Sequence, residues 1–218
     1  MPYQLGLVTG GIIGLVKGKH DALLSSRCIQ RKIRQGGMEM NSTQEIVMAG
    51  FGGQGIMFAG KLVSYAGMLA GKQISWLPSY GPEMRGGTAN CHVIISDEQI
   101  GSPIVTNPTT LIAMNRPSLD KFENKVVSSG LILMDSSLIS RSVERKDVKA
   151  IEIPATQQAI DLGEGKLANM VLVGRLIKET GIVSLDVLKD ALKKIVPASK
   201  KELLDMNIKM IELGYNGA

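Results

Sequence analysis

A three-layer α/β/α sandwich, with a mixed, largely parallel sheet and a helical C-terminus, is the fold class that this 218-residue chain predicts. Three features carry the reading. Short apolar runs alternate with helical patterns from residue 46 onward, as strands and their covering helices do in layered folds. The first strand and the first helix are joined by a turn containing Gly50, Gly52, Gly53 and Gly55. Three amphipathic helical patterns then close the chain without a strand between them. Residues 40–218 have the length of one ordinary domain, and an apolar content of 44% supplies one substantial core. Aromatic residues are only 4%, so Leu, Ile, Val and the 12 Met must fill it.

Taken in order, Ile46–Ala49 is an unbroken apolar run and reads as a buried strand. Ile56–Ala70 is helical, with Ala59, Gly60, Ala66 and Gly67 small enough for close packing. Gln73–Leu77 and Thr88–Ser96 read as strands, and residues 96–101 as a hairpin-like turn leading to Pro103-Ile104-Val105. Thr110–Met114 is strand-like, and Ser118–Val127 is a helix behind Pro117. Leu131–Asp135 and Val148–Ile153 are strands, the second ended by Pro154. Ala155–Leu162 is helical and is broken by Gly163-Glu164-Gly165. Asn169–Thr180, Ser184–Ile195 and Lys200–Leu213 are the three closing helices. Ser184 caps its helix, but Val187 stands where a capping box wants an acid, so half of that cap is present.

Residues 1–39 stand apart as an N-terminal extension. They hold six of the chain's 25 Lys and Arg and two of its 20 Asp and Glu, which leaves 19 cations against 18 acids in residues 40–218. The calculated pI of 9.2 therefore belongs to the extension, and it does not argue for nucleic-acid binding by the domain. The apolar stretch Leu5–Val16 is shorter than the ~20 residues of a membrane span. It also lacks the basic n-region and the small-residue cleavage site of a signal peptide. The extension is expected to be a start-site artefact or disordered. Gln35-Gly36-Gly37-Met38-Glu39 can be encoded by a purine run like a ribosome-binding site, a short distance upstream of Met40. An amphipathic segment for a membrane or a partner is the other reading, although four glycines in twelve residues make a poor helix.

Two segments look functional. Gly50, Gly52 and Gly55 reproduce the G-x-G-x-x-G spacing between a strand and a helix, a place where backbone N–H groups and a helix N-terminus receive anions. A dinucleotide fingerprint also needs an acid about 20 residues further on, and Gly71–Pro78 contains none. Lys72 and Ser75 leave open an NADP- or nucleotide-binding Rossmann-like module, or a phosphate-sensing one. Plain packing of a tight turn accounts for Gly52 and Gly55 but less well for Gln54. The second segment runs from Pro78 to Asn90, stiffened by two prolines and three glycines yet carrying Tyr80, Glu83 and Arg85. An exposed Glu83–Arg85 pair would by itself contribute under ~1 kcal/mol.

Residues for chemistry are few. Cys28 and Cys91 form no C-x-x-C, so neither an iron–sulfur cluster nor a structural zinc can be built from this chain alone. Cys91 reads as a reduced core thiol, which fits a cytoplasmic protein. His92 points to the opposite face from Cys91 and reads as a strand-surface or partner contact, with a substrate contact the alternative. Asp135, at the end of a strand, sits either where α/β sheets place ligand groups or as a helix cap shared with Ser136.

Gly-Phe-Gly-Gly-Gln-Gly at 50–55, followed by Ser-Tyr-Gly-Pro-Glu-Met-Arg-Gly-Gly at 79–87, resembles the gamma subunit of the 2-oxoacid:ferredoxin oxidoreductases. The resemblance continues through Ala89-Asn90-Cys91, Pro103-Ile104, Leu131–Ser136 and Asn169–Gly174, and spans about residues 44–214. Pyruvate-type subunits more often carry other residues at Phe51, Tyr80, Met84 and Gly87, so the chain looks more like the 2-oxoglutarate or branched-chain members. The resemblance implies oxidative decarboxylation of a 2-oxoacid with coenzyme A, yielding acyl-CoA and carbon dioxide and reducing ferredoxin. It places thiamine diphosphate and Mg2+ between alpha and beta subunits, and iron–sulfur clusters elsewhere, including a small ferredoxin-like delta subunit. The gamma chain is then an accessory subunit, inactive alone, with no cofactor and no catalytic residue of its own. Its candidate cofactor-binding or partner-facing residues are Gly50, Gly52, Gly53, Gln54 and Gly55 in the turn. In the loop they are Tyr80, Gly81, Glu83, Arg85, Gly86, Gly87 and Asn90. Arg85 is the first candidate for an anion on coenzyme A, a substrate carboxylate or a partner acid, because its planar fork binds such groups bidentately.

Overall fold

The computed structural model describes residues 43–79, 88–197, 199 and 201–217. The 1–39 extension and the loop residues Tyr80, Gly81, Glu83, Arg85, Gly86 and Gly87 lie outside the described residues. Six strands form one sheet: β1 (Thr43–Phe51), β2 (Gln73–Ser79), β3 (Thr88–Ser96), β4 (Thr110–Ala113), β5 (Leu131–Asp135) and β6 (Lys149–Ile153). Their order is β2-β3-β1-β4-β5-β6. The β1-β4-β5-β6 half is parallel, while β3 and β2 extend it as an antiparallel wing.

β1 is longer than its apolar run. It is the one strand paired to both halves, and its ladder with β3 runs from Thr43↔Ser96 to Phe51↔Thr88, so backbone pairing carries it past Ile46–Ala49. Its alternate side chains enter separate cores. Ile46 and Met48 join Cys91, Val93 and Ile95 of β3 on one face; Val47 and Ala49 join Ile94, Leu111 and Ile132 on the other. A strand covered on both sides is continuously apolar for this reason.

The two faces are covered unequally. Helices α1 (Ile56–Leu69), α3 (Ala155–Asp161), α4 (Ala168–Thr180), α5 (Leu185–Ile195) and α6 (Lys201–Asn216) pack on the first face. The second carries the short α2 (Arg116–Phe122) and connecting segments that bring in Val105, Val126 and Ile139. Buried Glu123 fastens this thinner layer. Its carboxylate accepts from Arg141 Nη2 (2.7 Å), the Glu144 N–H (2.6 Å) and the Arg145 N–H (3.3 Å).

The helix boundaries that differ most from the sequence expectation are those of α2 and the end of α6. Instead of Ser118–Val127, the helix α2 begins at Arg116, because the Asn115 side chain caps it by accepting from the Ser118 N–H at 2.8 Å. Pro117 then falls in the first turn, where its missing N–H costs nothing. The helix tightens into a 3-10 turn at Glu123–Lys125 and stops there, as Val126 is extended. At the other end of the chain, α6 runs through Gly214 instead of stopping at Leu213. A Cβ at Gly214 would lie 1.8 Å from the Val171 carbonyl oxygen, and one at Gly174 would lie 2.0 Å from that of Ile211. Gly214 is thus the point where α6 lies backbone-to-backbone on α4. The half-cap at Ser184 is present, its Oγ accepting from the Val187 N–H at 3.3 Å.

Candidate functional site

The carboxyl ends of β1 and β4 form the crevice where open α/β sheets bind ligands, since α1 leaves toward one face of the sheet and α2 toward the other. The glycine turn lies in it. Gly55 has φ 73°, the left-handed conformation, at the start of α1, and a Cβ there would meet the Asn169 amide at 2.4 Å. A Cβ at Gly50 would meet Gln54 Oε1 at 2.6 Å and Met114 Cβ at 3.1 Å. These glycines therefore make room for the protein's own side chains.

Gln54 fills that room. Its Oε1 accepts the Phe51 N–H at 2.5 Å, and its Nε2 donates to the Met114 carbonyl at 3.0 Å. The side chain thereby bridges the segment after β1 to the segment after β4, across the mouth of the crevice. Behind it, Asn169 Nδ2 donates to the Gly55 carbonyl at 3.1 Å and fixes the start of α1 to α4. The turn resembles a phosphate cradle in sequence, but its polar side chain is committed to internal bonds.

Of the other predicted residues, Asn90 is buried in β3, paired with Ala49 of β1 and Ser79 of β2. Gly52 and Gly53 are exposed at the tip of the turn. Asp135 is fully buried, and of its two readings the geometry matches the cap: Thr156 Oγ1 donates to it at 2.5 Å, the Ser137 N–H at 3.1 Å and the Thr156 N–H at 3.3 Å. It caps α3, across from its own strand, and the Ser137 hydroxyl accepts the next N–H, that of Gln157, at 3.0 Å. Cys91 is buried against the Ile56 carbonyl. Burial pushes its thiol up to about 12, with the Trp76 indole acting weakly the other way. The thiol is therefore protonated at neutral pH. Among the described residues no three His, Cys, Asp or Glu side chains converge on a metal position.

His92 opens onto the thinly covered face. Its Nδ1 accepts the Val105 N–H at 3.1 Å, which places the ring proton on Nε2 and ties the β3–β4 connection to the sheet. Burial, reinforced by the Lys125 cation, lowers its pKa below the ordinary histidine value.

The sequence model described as pyruvate ferredoxin/flavodoxin oxidoreductase matches residues 45–217. The chain belongs to this family. The ketoisovalerate oxidoreductase subunit VorA of Methanothermobacter marburgensis is 38% identical over 175 residues, 79% of this chain and 36% of that one. The chain thus spans about a third of the length of that relative. The 2-oxoglutarate synthase subunit KorC of Methanocaldococcus jannaschii is 36% identical over 180 residues, covering 80% of this chain and 94% of the other. Among solved structures, the gamma subunit of a keto/oxoacid ferredoxin oxidoreductase from Geobacter sulfurreducens superposes with a TM-score of 0.69 at 29% identity, covering 79% of this chain and 96% of that one. The pyruvate ferredoxin/flavodoxin oxidoreductase match begins within β1 and ends just past α6, so it takes in the glycine turn, the crevice and the α4–α6 contact together.

Sequence reasoning missed Met114 and Asn169, the partners that hold the turn shut. Met114 acts through its carbonyl, which no side-chain pattern reveals. Asn169 did leave a trace: a polar residue in the apolar run Ala168-Asn169-Met170-Val171, on a buried helix face.

Proposed function

We propose that this chain is the gamma subunit of a 2-oxoacid:ferredoxin oxidoreductase, a cytoplasmic enzyme that decarboxylates a 2-oxoacid with coenzyme A and passes the electrons to ferredoxin. The observation that carries the reading is the family match over residues 45–217. The closed glycine turn supports an accessory role, because Gln54 already occupies the crevice a nucleotide would need. Alpha, beta and small ferredoxin-like delta subunits are the partners in this proposal. Thiamine diphosphate and Mg2+ lie between alpha and beta, and the iron–sulfur clusters on the other chains. Arg85 and its loop then face coenzyme A, the substrate carboxylate or a partner acid. 2-Oxoglutarate is the favoured substrate, in keeping with the relative named a 2-oxoglutarate synthase subunit, which is matched over 94% of its length. The 38% identity to a ketoisovalerate oxidoreductase subunit makes a branched-chain 2-oxoacid the second reading.

Mild affinity purification of the chain from its own cells, with mass spectrometry of what accompanies it, tests the assignment. Stoichiometric alpha and beta chains are expected, and the mixture should reduce ferredoxin with 2-oxoglutarate faster than with branched-chain acids. A lone chain carrying a nucleotide refutes the reading. In the reconstituted complex, Arg85→Ala should lower activity without changing the melting temperature of the isolated chain; unchanged activity removes Arg85 from the site.

A further inference from the structure

The sheet ends in two unlike edges. β6 carries Lys149 and Glu152, and Lys149 is paired with Glu179. Charges of this kind keep an edge strand from pairing with another chain. The opposite edge, β2, reads Gln-Ile-Ser-Trp-Leu-Pro-Ser over residues 73–79 and holds no charge. Its inner side is paired to β3, and among the described residues nothing pairs with its outer side. Apolar side chains are exposed on both faces of this edge, Ile74 (38%) toward α1 and Leu77 (38%) on the other face. Met68, the neighbour in α1 of the Gly67 that lies against Ile74, is 48% exposed.

Pro78 decides which backbone groups this edge offers. Proline has no N–H to give β3, so it takes a strand position whose backbone groups point away from that neighbour. The two-residue period then turns the N–H and C=O groups of Ile74 and Trp76 outward as well. A second copy of β2 matches them when laid antiparallel with Ser75 opposite Ser75. Ile74 then exchanges both backbone bonds with Trp76 of the second copy, and Trp76 does the same with Ile74 of that copy. Pro78 falls outside the exchanged bonds, so its missing donor costs nothing. Ile74 meets the Trp76 side chain on one face and Leu77 meets Gln73 on the other, and no like charges face each other.

We propose that β2 is a self-association edge. Two copies of this chain pair β2 to β2 about a two-fold axis at Ser75 and join their six-stranded sheets edge to edge. The contact is isologous and closes on itself, so it yields a dimer and not a fibre. Backbone bonds over one short strand and a few half-exposed side chains make a small interface. The dimer is therefore expected to be reversible, with a Kd on the order of 10 µM.

Sedimentation equilibrium of the full chain between ~1 and ~300 µM tests the proposal, and a reversible monomer–dimer equilibrium is expected. Ser75→Lys and Ser75→Glu each set like charges face to face on the two-fold axis and should weaken the dimer about fivefold. An equimolar mixture of the two variants should recover the wild-type affinity, because Lys then faces Glu. Hydrogen exchange of the wild-type chain gives a readout that needs no substitution. The Ile74 and Trp76 amides should become more protected as protein concentration rises. A chain that stays monomeric to ~300 µM overturns the proposal, including one whose β2 edge is instead taken by another subunit. So does a dimer that neither charge variant weakens, which would lie on another surface, or exchange at Ile74 and Trp76 that is independent of concentration.

Discussion

Replacing Gly214 by alanine adds one methyl group where α6 touches α4, and the structure sets the consequence. The new Cβ would sit 1.8 Å from the Val171 carbonyl oxygen and 2.7 Å from its carbon. Ordinary contact begins near 3.4 Å, so the helices must part by about 1.5 Å, and the obstructing atom is helical backbone that cannot rotate away. Separation on that scale unpacks Met210 and Ile211, both fully buried on α6. Burial of each such side chain contributes ~1.5–3 kcal/mol, and dispersion contacts lose a quarter to a half of their strength over a gap of 0.5–1 Å. The loss is therefore ~2–3 kcal/mol, against ~1 kcal/mol gained from alanine's better helix propensity. A net destabilisation of ~1–2 kcal/mol is expected, read as a lower urea midpoint at an unchanged m-value. Gly101→Ala is the control, since no atom lies within 4 Å of its added Cβ, and it should stay within ~0.5 kcal/mol of wild type. The double variant Gly174→Ala with Gly214→Ala should cost less than the sum of the two, because the first methyl has already parted the helices. A Gly214→Ala protein as stable as wild type would refute a backbone contact between α4 and α6.

Gln54→Ala frees the Phe51 N–H and the Met114 carbonyl at a partly exposed site where water can replace the amide, so a modest loss of ~1 kcal/mol in urea unfolding is expected; a loss above ~3 kcal/mol would mean the bridge is more deeply buried. His92 has a lowered folded pKa, so its contribution is complete above the unfolded value of about 6.5 and is lost as pH falls toward the folded one. Stability should decline over that interval in wild type, and His92→Asn, which can still accept from the Val105 N–H, should flatten the slope; an unaltered slope would clear His92 of the effect. Cys91, with its thiol raised to about 12, should resist iodoacetamide at pH 8 in the native protein and react once denatured; rapid native labelling at Cys91 would contradict its burial.

Periodicity made the layered order legible because each strand–helix alternation leaves a change of period in the sequence. Leu131–Asp135 and Thr88–Ser96 have the same bounds in the structure as in the pattern, and the three closing helices are all present. The last helix runs past the expected end at Leu213, and the sequence around Gly214 says nothing of Val171, which comes against it only in the folded chain. α2 starts two residues before the expected Ser118 because Asn115 caps a first turn that includes Pro117. At the candidate site, glycine spacing located the turn correctly. What the turn holds was not legible, since Gln54 and the Met114 carbonyl are separated by sixty positions in the chain.

The bridge made by Gln54 sets a competition that any visitor to the crevice must win. The amide is tethered three residues from the Phe51 N–H it occupies, so it acts there at an effective concentration on the order of millimolar or above. An incoming group that uses the same donor and acceptor binds only the fraction of molecules in which Gln54 has swung aside, and its apparent affinity falls by that fraction. A partner subunit that pulled Gln54 outward would remove the competition at once. The same crevice could then be closed in the free chain and receptive in the assembled enzyme, with no change in the strands that frame it.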